Sequence, residues 1–80
     1  MSVLGIDEFS VRKGQRYATG LHDLGHRRVV DVVKGRTHDN VQEALERLPH
    51  PDAITVVSMD MAGSFRAAVQ EVLPQATIVA

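Results

Sequence analysis

Apolar and polar positions alternate over the first third of the chain, and then the period changes. Residues 3–11 put Leu4, Ile6 and Phe9 in a β-favouring context and run into Lys13-Gly14. A glycine there takes positive φ without steric cost, so a tight turn is expected. Residues 16–22 (RYATGLH) place Tyr17, Thr19 and Leu21 on one alternating face. Asp23-Leu24-Gly25-His26 reads as a second turn. Residues 28–34 (RVVDVVK) are β-branched and bounded by Gly35, which makes a third strand. The pattern predicts an antiparallel meander.

From residue 37 the spacing becomes helical. Val41, Ala44, Leu45 and Leu48 fall on one face, with Glu43, Glu46 and Arg47 on the other. Thr37 or Asp39 can cap this helix, and Asp39 with Gln42 has capping-box spacing. Pro49-His50-Pro51 stops it. Residues 53–58 (AITVVS) are nearly all apolar, the signature of a strand covered on both faces. A second helix over 63–73 carries Phe65, Ala68, Val69 and Val72, Pro74 ends it, and 76–80 (ATIVA) form a fifth strand. The order is β-β-β-α-β-α-β.

Two helical crossovers returning to one sheet favour parallel additions to the meander. The expected architecture is a mixed α/β sheet of strand order 3-2-1-4-5, with the first and fourth strands adjacent. Asp7 then lies within the first strand and Asp60 just past the carboxyl end of the fourth, so the two can meet on one side of the sheet.

Composition narrows the chemistry. The chain has 80 residues and no Cys, which allows one domain and excludes disulfide scaffolds, Cys zinc sites and Cys nucleophiles. No apolar run is long enough for a membrane span and the first ten residues lack a signal-peptide pattern, so a cytoplasmic protein with no membrane partner is expected. The net charge of −1 conceals a division. Residues 1–36 hold seven basic side chains against four acidic, a balance of +3, and residues 37–80 hold two against six, a balance of −4. The basic half suits either a polyanion or ordinary solvated turns.

Asp7 stands in the apolar context LGIDEF, where an inward-facing carboxylate needs a partner, with Glu8 beside it as the outward acid. Asp60 stands in VVSMDM, where an N-cap is the plainer role. As neighbours, two carboxylates suit a hard divalent cation, since Mg²⁺ takes one or two carboxylates together with water and phosphate oxygens. Of the other acids, Glu43, Glu46, Asp52 and Glu71, none is well placed to be a third. His22, His26, His38 and His50 lack metal-ligand spacing and read as turn or solvated residues. No GxSxG elbow and no GxGxxG or GxxxxGK loop is present. Met59 and Met61 read as packing residues and Arg66 as a solvated side chain, the alternative being a phosphate contact.

The segments LGIDEF and VVSMDMAGSFRAAV resemble the first and second catalytic blocks of bacterial insertion-sequence transposases of the DDE type, in the manner of the ISL-three group. RYATGLHDL, RRVVDVVKGRT and the helix ending LPHP are similar as well, so the resemblance spans essentially all 80 residues. It implies a ribonuclease H-like fold and a two-ion Mg²⁺ site with Asp7 as the first metal-binding, catalytic acid and Asp60 as the second. It further implies transposon ends and target DNA as partners, with phosphodiester hydrolysis and strand transfer as the chemistry. Family members carry an upstream module that reads transposon ends, and a third acid, a Glu, far downstream. The expectation is therefore that residues 1–80 form part of a DDE catalytic domain, lacking its C-terminal helix and inactive alone. Two alternatives stand beside it: a non-catalytic module that binds or regulates a full-length transposase, and a small ribonuclease H-like nuclease.

Overall fold

The β-branched run RVVDVVK forms strand β3 (Arg28–Lys34) over the span its composition predicts. In the computed structural model, which describes residues 1–12, 16–35, 37–59 and 65–80, β1 (Val3–Arg12) and β2 (Arg16–Asp23) precede it. The three make the expected antiparallel meander, with Ile6 opposite Leu21 and Asp7 opposite Gly20. The Lys13-Gly14 turn lies outside the described residues. The second turn is tied by Asp23, whose Oδ1 accepts from the His26 backbone N–H at 3.3 Å and whose Oδ2 accepts from His26 Nδ1 at 2.8 Å. A short carboxylate bonding three residues ahead substitutes for a backbone turn bond.

Helix α1 (His38–Glu46) is capped by Thr37, whose Oγ1 accepts from the Asn40 backbone N–H at 3.2 Å. The Asp39–Gln42 capping box is not used. Thr37 takes the extended conformation that a cap requires, which puts Asp39 inside the first turn. Gln42 Oε1 instead accepts from His38 Nε2 at 3.0 Å.

The two prolines end α1 as expected, but Pro51–Ala53 form one 3-10 turn and delay the next strand. Accordingly β4 is Val56–Met59 and starts three residues later than the apolar run suggests. Gln75 Nε2 donates to the Pro51 and Ile54 carbonyls, each at 3.0 Å, and pins this connection. Helix α2 (Arg66–Val72) follows, its expected start at residue 63 lying outside the described residues, and β5 is Thr77–Val79.

The sheet order is β3-β2-β1-β4-β5, the order that two crossovers imply. Both β1 and β5 run parallel to β4, with Ile6 opposite Met59 and Val57 opposite Ile78. The fold is a mixed α/β sheet with two helices. Leu4, Ile6, Leu21, Val57 and Met59 form one face of the core, and Val41, Ala44 and Leu45 of α1 with Ala68 and Val69 of α2 pack onto it. Because strand side chains alternate, the intervening residues point the other way. In β4, Val57 and Met59 are buried while Val56 and Ser58 are only half-buried. The expectation that this strand is covered on both faces is thus corrected: the described helices cover one. Among the described residues no helix is long and apolar enough to cross a membrane.

Candidate functional site

Asp7 lies on the face of the sheet opposite both helices. Its neighbours Ile6 and Leu4 point into the core, so period-2 alternation sends Asp7 to the open side. Its side chain is 61% exposed, which overturns the expectation of an inward-facing carboxylate beside an outward Glu8. Glu8 is exposed too. An exposed acid needs no compensating partner for stability, yet Asp7 has one. His22 Nε2 lies 3.0 Å from Asp7 Oδ1, and the imidazole is the less exposed of the two at 29%.

Register explains how the two residues meet. Cross-strand partners share a face, and the pairs are Gly5 with His22 and Asp7 with Gly20. Asp7 and His22 are therefore diagonal neighbours, and each stands opposite a glycine that places no side chain between them. Beside Gly5 on the other flank is Ser58 of β4. Gly5, Asp7, His22, Ser58 and Leu24 line an open depression of about 220 Å³. Leu24 closes one side: its Cδ2 lies 3.0 Å from where a Gly5 Cβ would stand.

Asp60, the other expected acid, lies outside the described residues. What the structure does show is the pairing on which the inference rested. Strands β1 and β4 are adjacent and parallel, and Ile6, which precedes Asp7, is the partner of Met59, which precedes Asp60 in the sequence. The remaining acids are elsewhere. Glu43 and Glu46 line the outer face of α1 together with Asp39, and Glu71 Oε2 lies 3.4 Å from His38 Nε2 where the two helices meet. Asp52 is exposed in the 3-10 turn. Among the described residues no three His, Cys, Asp or Glu side chains converge as a metal cage. An exposed carboxylate in an open, partly polar depression fits the protein's share of a Mg²⁺ shell, since that ion keeps several waters and takes few protein ligands.

Of the histidines, His22 is the one that reading by spacing missed. Its spacing reads as that of a turn or solvated residue, but it sits within β2 and bonds Asp7. The available signal was alternation: His22 is out of phase with Leu21 and in phase with Gly20, which faces Asp7. His26 and His38 serve the turn and the helix pair respectively. Asp23 titrates abnormally. Burial pushes its pKa up, but hydrogen bonds from the His26 side chain and backbone, and the positive charges nearby, outweigh that and hold it below the ordinary carboxylate value.

Two comparisons with known proteins bear on this site. A family model described as a transposase, that of the ISL3 type, matches residues 4–80. The transposase for insertion sequence element IS1001 of Bordetella parapertussis is 37% identical over 78 residues, which is 95% of this chain. The chain spans 19% of the length of that curated relative.

Proposed function

The chain belongs to the ISL3-type transposase family, and from that membership we propose that residues 1–80 are part of a DDE-type catalytic domain with a ribonuclease H-like fold. Asp7 and Asp60 are its first and second acids, and they hold Mg²⁺. Bound there, the metal would polarise a phosphodiester and help generate the attacking water or hydroxyl. Transposon ends and target DNA are the substrates that such chemistry serves.

The observation that carries this reading is the parallel pairing of β1 with β4. It pairs Ile6, the residue before Asp7, with Met59, the residue before Asp60 in the sequence. The site's own residues contribute orientation: the sheet fixes the Asp7 backbone at the edge of an open depression of about 220 Å³. No third acid converges on Asp7 among the described residues. These 80 residues alone are accordingly expected to bind the cation weakly and not to cleave DNA.

Titration with Mn²⁺ followed by amide NMR tests this. Broadening should centre on Asp7 and on the residues beside Met59, and Asp7→Asn should remove it. Uniform or absent broadening overturns the assignment. Plasmid nicking that depends on Mg²⁺ and disappears in Asp7→Asn would instead make the chain a stand-alone nuclease.

A second reading is favoured by the open face itself. Val29, Val32 and Val79 are 56%, 53% and 41% exposed, and register puts all three on the side of Asp7. Val29 and Val32 lie on the edge strand β3 and Val79 on the opposite edge strand β5, and apolar side chains on exposed edge strands suit a module that binds a full-length transposase and regulates it. Co-purification of the two, lost when Val29 and Val32 are changed to Thr, supports this reading; a chain that ignores the transposase excludes it.

A further inference from the structure

We propose that His22 is a positioning residue for Asp7: its Nε2–H holds Asp7 Oδ1 and so presents Oδ2 to a divalent cation. The proposal deepens the metal-site reading above and rests on it.

The geometry carries the argument. A carboxylate can only accept, so the proton in the 3.0 Å contact between His22 Nε2 and Asp7 Oδ1 belongs to the imidazole. With Oδ1 engaged, Oδ2 is the oxygen left for an ion. The partner that is held is the exposed one, and the partner that holds it is half-buried. An Asp on an open strand otherwise samples several rotamers, and a cation that binds one of them must bear the cost of selecting it. His22 makes that selection in advance.

Three further features favour this role over a fortuitous surface contact. Glycines stand opposite both residues, so neither has a cross-strand partner side chain in the way of the diagonal bond, and Leu24 packs over Gly5 beside it. The β2–β3 ladder carries an irregularity next to His22: Leu21 pairs with Asp31 and His22 with Val29, leaving Val30 as an extra residue. Bulges re-aim the side chains beside them and recur next to functional sites. The chemistry of the donor also matters. Imidazole can donate this bond without carrying charge, whereas Lys or Arg always brings a cation to the carboxylate and would compete with the metal.

Mn²⁺ affinity of the full 80-residue chain, measured by calorimetry, is the test. His22→Leu is expected to weaken binding about tenfold, the usual cost of losing a bond that orients a metal ligand. His22→Gln, which restores an N–H donor, is expected to recover most of it. Equal affinity in the wild type and His22→Leu overturns the proposal, as does Gln behaving like Leu. Asp7→Asn separates the two levels: if it binds as well as the wild type, the metal-site reading itself fails. If it loses binding while His22→Leu does not, only the role of His22 fails.

Discussion

Two residues show how local chemistry sets conditions on this fold. Asp23 is buried at the end of β2, and His26 satisfies both of its carboxylate oxygens. Because its folded pKa is depressed, the stability it contributes is fully present above the unfolded value, near 3.8, and is lost as pH falls through the folded value. Thermal melts should therefore show Tm falling as pH drops below about 4, and Asp23→Asn should lessen that fall while lowering stability at neutral pH. Gly35 is constrained from two directions. Its φ is +88°, and a Cβ there would lie 2.5 Å from Asn40 Oδ1. Gly35→Ala should cost more than about 1 kcal/mol in denaturant unfolding, combining the left-handed penalty with displacement of Asn40. Thr19, whose hydroxyl donates to the Gly35 carbonyl at 2.8 Å, would lose its geometry in the same step.

Strands and helices were legible in the sequence to different degrees, and the differences have physical causes. β3 was read to the residue, because a β-branched run closed by glycine leaves no competing conformation. β4 was read too early, since Ala53 and Ile54 are as apolar as the strand but sit in and after a 3-10 turn that Pro51 initiates. The sequence offers both Thr37 and Asp39 as the cap of α1, and the structure uses Thr37. Thr37→Ala should destabilise the protein by about 1 kcal/mol, the typical value for a lost cap, whereas Asp39→Ala should be close to neutral. A larger effect at Asp39 than at Thr37 in chemical denaturation would reverse that assignment. The strand order followed from crossover geometry alone. The orientation of Asp7 did not, because an apolar context says that a strand is half-buried and not which half. His22 escaped notice for a related reason: its importance comes from a partner fifteen residues away in sequence, which only register reveals.

At the scale of the whole molecule, the described residues cover the sheet on one side. Both helices pack on the face bearing Leu4, Ile6 and Leu21, while the face bearing Asp7 exposes Val29, Val32 and Val79. Val29 and Val32 sit on the edge strand β3, and exposed apolar side chains on a free edge strand favour association. Sedimentation of the 80-residue chain should show concentration-dependent oligomers that dissociate in Val29→Thr/Val32→Thr, with the fold retained. A monomer at all concentrations would show that these valines do not drive self-association. The basic first half and acidic second half bear on the same question, since they give the chain opposite charge balances in its meander and in its helical part.

The pairing of β1 with β4 also fixes a timetable. Ser2 and Thr55, joined by a hydrogen bond at the foot of this pairing, are 53 positions apart, whereas the meander closes through short turns. Long closures are entropically dear and come late in folding. The meander can therefore assemble as soon as it leaves the ribosome, bringing His22 to Asp7 while β4 is still being made.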